Sequence, residues 1–150
     1  MKHLFAALLA PFLCPTKAQN SDDIDIPRLT RAIAMVENWD GHSVGKSGER
    51  GRLQFKEATW KQFSRHPHKW ADCILDLHLR HTRTVERLYL SWLINKALPS
   101  LSLKPTVYNC AIVHNAGYGN VTHGVITAPQ ADFANRVANC YYDNQKKDGK

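Results

Sequence analysis

Pro27-Arg28-Leu29-Thr30-Arg31-Ala32-Ile33-Ala34-Met35-Val36-Glu37 is the stretch that decides the fold class of this chain. Leu29, Ile33 and Val36 recur at helical spacing and so share one face of a helix. Pro27 suits a first helical turn, where its missing N–H costs nothing, and Asp40-Gly41 supplies a stop. Glu37 follows Ile33 by one turn, at the edge of the apolar face. Partial desolvation at such an edge strengthens the hold of a carboxyl on its proton. That makes Glu37 a candidate general acid, although position alone favours an ordinary solvated glutamate near a helix end.

Helical spacing continues along the chain. Residues 41–55 are rich in glycine and read as a loop or a short hairpin-like excursion. Phe55 to Ser64 reads as a short helix anchored by Phe55, Trp60 and Phe63, and Pro67 breaks it. Asp76 to Leu98 is the longest helical pattern, with Leu77, Val85, Leu88, Leu90 and Trp92 as core candidates and Pro99 as its stop. Thr106 can cap a helix to about Asn115, with Gly117 ending it. Residues 117–128 form a second polar loop. Pro129 opens a last helix to about Tyr142, with Phe133, Val137, Cys140 and Tyr141 facing inward. No strand-like alternation is sustained. The expected fold is mainly α, a compact helical domain with two functional loops.

The first residues do not belong to that core. A basic start, Met1-Lys2-His3, precedes an apolar run from Leu4 to Leu13, and Thr16-Lys17-Ala18 places small residues for cleavage after Ala18. This is a secretory signal pattern over 1–18, too short to span a bilayer, so residues 19–150 are the expected mature domain, exported to a periplasmic or extracellular space. Gln19 to Ile26 reads as a flexible lead-in. Without Lys2 and Lys17 the net charge falls from +7 to +5. A moderately basic exported protein suits a polyanionic partner such as a cell wall. Nucleic acid is not expected, because no basic run or aromatic-interleaved basic stripe is present. Cys14 goes with the signal, leaving Cys73, Cys110 and Cys140. An oxidising compartment allows one disulfide and one free thiol. Cys110 and Cys140 would meet if the last two long helices pack together, though sequence does not decide the pairing.

Two further segments carry polar chemistry. Gly48-Glu49-Arg50-Gly51-Arg52-Leu53-Gln54 sets two glycines in a loop, where they permit tight turns and close approach of a ligand. Gln54 offers a donor and an acceptor to sugar hydroxyls and acetamido groups. His114-Asn115-Ala116-Gly117 ends a helix, and such an end can serve as a plain C-cap without any ligand. Taken with Glu37 and with Phe133 to Val137, these elements resemble the catalytic domain of soluble lytic transglycosylases, within the lysozyme-like superfamily. The resemblance spans roughly residues 27–142. That family carries a glutamate ending a helix, then G-x-x-G-x-x-Q, then an aromatic residue before Asn-Ala-Gly, then an aromatic residue four positions before a valine. This chain departs from it at His114 and Phe133, where the family usually has tyrosine. Asn38-Trp39 stands in place of small residues, and Arg52 in place of an apolar one.

The resemblance implies a substrate cleft, with cleavage of the bond between N-acetylmuramic acid and N-acetylglucosamine in peptidoglycan glycan strands. Glu37 would act as acid and then base, leaving 1,6-anhydromuramic ends. Gln54, Asn115, His114, Tyr108, Tyr118 and Phe133 would be substrate contacts. A hydrolytic muramidase needs a second carboxylate; Glu49 is the better candidate for it and Asp40 the poorer. A non-catalytic wall-binding protein is the alternative that the departures favour. No cofactor or metal is expected: His66-Pro67-His68 and His78-x-x-His81 are the only histidine clusters, and neither has a convincing third ligand. No stable membrane insertion is expected after signal removal, and the protein is expected to be a monomer.

Overall fold

The computed structural model describes residues 24–37, 44–65, 70–71 and 79–148. It is mainly α, with no strand among the described residues. The elements are α1 (Ile26–Glu37), α2 (Glu57–Phe63), α3 (Leu79–Trp92), a π-helical turn (Leu93–Ala97), α4 (Leu98–Ser100), α5 (Val107–Ala116), α6 (Tyr118–Thr122) and α7 (Ala128–Asp148). The signal pattern, Asn38 to Gly41, His66 to His68, Cys73, Leu77 and His78 lie outside the described residues.

α1 starts where a side chain caps it. The Arg28 N–H donates to Asp25 Oδ1 at 2.8 Å, satisfying one of the donors that a helix start leaves open. The Asp25 N–H in turn donates to the hydroxyl of Tyr141 on α7, at 3.0 Å. Ile24 is buried in the core. The flexible lead-in expected through Ile26 is therefore a packed segment over residues 24–26.

α5 is apolar around most of its surface, burying Val107, Cys110, Ala111, Ile112, Val113 and Ala116, as a central helix must. α7 packs against both α5 and α1, and α1 also packs against α3. Phe133, Val137 and Tyr141 of α7 meet Leu29 and Ile33 of α1 in one core. Thr106 caps α5 as expected, accepting from Asn109 N at 3.1 Å. Thr106→Ala should cost about 1 kcal/mol of stability, readable as a lowered urea midpoint with an unchanged slope.

Several expectations shift. Leu88 is exposed, because the buried stripe of α3 runs through Val85, Glu86, Tyr89 and Leu90 and Leu88 sits behind it. Pro99 does not stop the helix at Leu98; α4 carries through it to Ser100. In the widened turn before it, Asn95 Nδ2 donates to Ser91 O at 2.9 Å. The second polar loop contains a helical turn, α6, and the last helix runs past Tyr142 to Asp148. The suggested Cys110–Cys140 disulfide is absent, and both thiols are free. Although α5 and α7 pack, Cys140 lies on the flank of the stripe formed by Phe133, Ala134, Val137 and Tyr141 and is only half-buried. Cys110 faces the core, where burial pushes its thiol up to about 12, so it is inert at neutral pH.

Candidate active site

The loop before α2 is a hairpin-like excursion. Arg50 and Phe55 pair in a single antiparallel bridge, with Arg50 N to Phe55 O at 3.0 Å and Phe55 N to Arg50 O at 2.8 Å. The turn between them needs Gly51 at φ 75° and holds Gln54 at φ 46°. A left-handed glutamine costs free energy and persists only where its surroundings fix it. Here the Gln54 N–H and the Gln54 Nε2 both bond to Gly51 O, each at 3.0 Å. Gly45 lies directly against Glu49 and Gln54: a Cβ there would fall 2.7 Å from Gln54 Oε1 and closer still to Glu49 Oε2.

This excursion, the end of α1 and the end of α5 enclose a cavity of about 480 Å³. Glu37, Glu49, Gln54, His114, Asn115 and Tyr118 all line it. Its apolar side is a run of rings. Tyr89 and Trp92 stack at 6.2 Å, Phe63 meets both at 5.5 Å, and Trp92 lies 6.0 Å from Tyr118. Flat rings offer the broad apolar contact that the carbon faces of a sugar can use, while amides and carboxylates take its hydroxyls.

Glu37 is mostly covered, with its side chain 19 % exposed, and its Oε1 lies 3.2 Å from His114 Nε2. His114 is more deeply covered, at 6 %. Its Nδ1 lies 3.0 Å from the Tyr89 hydroxyl. Tyr89 is buried, and desolvation first, then Cys110 and Glu37, push its pKa far above the ordinary phenol range. It therefore keeps its proton. Phe133 does not line the cavity; it is buried behind His114, its ring 6.2 Å from the imidazole and near-parallel to it. Tyr108 does not line it either and packs half-buried against the core. Those two expected substrate contacts lie outside the cavity lining.

Asn115 behaves differently from a capping residue. The cap of α5 is Gly117, at φ 82°, whose N–H bonds to Val113 O at 3.0 Å. Asn115 is exposed in the cavity, and its amide has no hydrogen bond among the described residues. Tyr118 is held by a 3.0 Å contact between its hydroxyl and Ser100 Oγ. Glu49 Oε2 accepts from Ser47 N at 3.0 Å. Its backbone hydrogen bonding, against a small opposing effect of burial and with help from Lys56, lowers its pKa, so it is ionised at neutral pH.

Arg52 points away from the cavity. Its Nε donates to Glu86 Oε1 at 3.2 Å and its Nη2 to Glu86 Oε2, a two-pronged pair with a carboxylate only 2 % exposed. Desolvation raises the Glu86 pKa and Arg52 opposes that rise. The charged residue in an expected apolar slot thus has a buried partner on α3. His81 contacts Ser64 Oγ at 2.8 Å and sets its ring edge against Trp60. Among the described residues no three His, Cys, Asp or Glu side chains form a group that could hold a metal.

Tyr89, Trp92 and Phe63 are the cavity residues whose role sequence reasoning missed. Phe63 and Trp92 read as core anchors and Tyr89 went unnoticed; the aromatic pair three apart on one helix face was the available signal. Comparison with family models, with curated proteins and with solved structures finds no match to this chain. Among the described residues, no helix is long and apolar enough to cross a membrane.

Proposed function

We propose that this chain is an exported peptidoglycan lytic transglycosylase, with Glu37 as the general acid and then the base. The observation that carries this reading is convergence. Glu37, Gln54 and Asn115 come from three separate segments and line one cavity walled on its other side by rings. The resemblance to soluble lytic transglycosylases selects the same three residues. In this mechanism the Glu37 carboxyl gives its proton to the leaving glycosidic oxygen as the bond to the muramic anomeric carbon breaks. The muramic C6 hydroxyl bonds to that carbon and returns its proton to Glu37. No water is consumed and no cofactor takes part. Gln54 and Asn115 offer amides to the acetamido and hydroxyl groups, and Tyr118 and Trp92 offer ring faces. The protein acts as a monomer on glycan strands.

A second reading has one observation in its favour. Glu49 is an ionised carboxylate on the wall of the same cavity, which a hydrolytic muramidase could use to hold water or stabilise the sugar cation. Glu49→Gln separates the two, because the amide still accepts from Ser47 N and only the charge is lost. A transglycosylase should keep activity within about threefold, whereas a hydrolase should lose about 100-fold or more.

The direct test is digestion of purified peptidoglycan by the 19–150 chain, with mass spectrometry of the released muropeptides. Products with 1,6-anhydromuramic ends are about 18 Da lighter than hydrolysis products, since water is not added. Reducing ends would move the assignment to the muramidase. Wall binding without release from any wall type would replace both with a binding protein.

A further inference from the structure

Two polar contacts stand in line behind Glu37: its Oε1 lies 3.2 Å from His114 Nε2, and His114 Nδ1 lies 3.0 Å from the Tyr89 hydroxyl. A neutral imidazole carries one proton, on Nδ1 or on Nε2, and the other nitrogen accepts. An ionised carboxylate has nothing to donate. With Glu37 Oε1 at 3.2 Å from Nε2, an Nδ1–H tautomer would set a nitrogen lone pair beside a negative oxygen. The Nε2–H tautomer sets the positive end of an N–H beside it instead, and a small turn of the carboxylate would complete a charge-assisted hydrogen bond. It also requires a donor at Nδ1, and the Tyr89 hydroxyl stands there at 3.0 Å.

We propose that Tyr89 and His114 form a two-step positioning relay for the acid. The Tyr89 O–H donates to Nδ1, which fixes His114 as the Nε2–H tautomer. Nε2–H clamps Oε1 of Glu37, and Oε2 is the oxygen left to exchange protons with substrate. This inference rests on the function proposed above and adds the residues that orient its acid.

Several features of the fold support the relay. Tyr89 and His114 are both nearly or fully covered, so water competes poorly for their hydrogen bonds. Burial keeps the phenol protonated and hence a donor. Phe133 lies near-parallel to the imidazole and Tyr89 sets its own ring edge-on to it at 5.7 Å, so the imidazole is boxed between two rings in one rotamer. Among the described residues, no hydrogen bond and no other ion pair engages the Glu37 carboxylate. The same clamp serves both halves of the reaction. It donates weakly to the carbonyl oxygen of the protonated acid and more strongly to the carboxylate left after transfer, which favours the proton's departure. No proton need leave His114 in either step.

The test has two arms that fail separately. Nitrogen-15 NMR of the labelled protein, with His114 assigned by loss of its signal in His114→Gln, should show a protonated Nε2 and a bare Nδ1. In Tyr89→Phe the two nitrogens should move toward each other as the tautomers mix. A bare Nε2 in the wild type would overturn the relay. In the kinetic arm, glutamine places an amide N–H near the Nε2 position, while asparagine reaches only the Nδ1 position. His114→Gln should hold kcat within about tenfold, and His114→Asn should lose about 100-fold at little changed KM. Thermal melts check that both variants fold. Equal activity of the two variants would overturn the positioning role. A wild-type protein that releases nothing from walls removes the catalytic half along with the proposed function, and the spectrum then decides the relay alone.

Discussion

Glu37→Gln is expected to abolish muropeptide release while leaving the helical fold and its melting temperature almost unchanged. The amide has the size and shape of the carboxyl and keeps an oxygen for His114 Nε2–H. The variant therefore preserves the 3.2 Å contact and the packing around it. It can neither give a proton to a leaving oxygen nor take one from an attacking hydroxyl. Losing a positioned general acid and base costs about 100- to 10,000-fold in rate. Mass spectrometry of digests, paired with a circular dichroism melt, checks both halves. Wild-type turnover by a folded Glu37→Gln protein would sink the proposed function, because no other carboxyl among the described residues has the same helix, cover and partner.

Arg52→Met should be the most destabilising change near the site. Glu86 would keep its buried position and lose the guanidinium that satisfies both of its oxygens. Stripping one partner from a buried pair costs about 3–5 kcal/mol. Arg52 is itself one-third exposed, so water reaches the site and the lower figure applies, about 3 kcal/mol. The loss depends on pH in a definite direction. Burial raises the Glu86 pKa above its unfolded value, so the folded state holds the proton more tightly. Stability contributed by that proton is present in acid and is lost as pH rises past the carboxylate range. Removing Arg52 raises the folded value further, so the defect should be small near pH 4 and full at pH 8. Arg52→Met with Glu86→Leu should recover most of it, since a well-packed apolar pair replaces the ion pair at little net cost. Urea melts at the two pH values read all three outcomes. A double variant no more stable than the single one would show that the loop, and not the buried charge, bears the loss.

The helical class was legible because its signals are local. Leu29 and Ile33 lie one turn apart, Thr106 sits three residues before the N–H it caps, and Gly117 stands where α5 must end. That Glu37, Gln54 and Asn115 stand out as polar candidates, and line one cavity, has a different reason: they sit at helix ends and a glycine turn, where a core has no use for them. What stayed hidden depends on distance along the chain. Tyr89 meets His114 across 25 residues, and from its own helix it is one more ring on a buried stripe. Phe133 and Tyr108 carry aromatic types that suit a cleft, but rings suit a core equally well, and the packing of α7 behind α5 put Phe133 there. Arg52 and Glu86 are separated by 34 residues. Arg52 alone stood out in the sequence, in a slot where an apolar residue was expected, and Glu86 on α3 gave no local signal that it was the partner. The Cys110–Cys140 suggestion failed because helix contact does not set rotational phase. One position around α7 separates the buried stripe from its flank.

The bond between the Asp25 N–H and the Tyr141 hydroxyl joins positions 116 residues apart, and it has a consequence for timing. α1, which carries Glu37, lies against α7, the last helix among the described residues. During synthesis the helix bearing the acid emerges first and waits without its partner. His114 and Asn115 also arrive late, and Phe133, which backs the imidazole, arrives later still. A growing chain that stops short of α7 therefore lacks the ring that backs His114 and the helix that packs on α1 and α5.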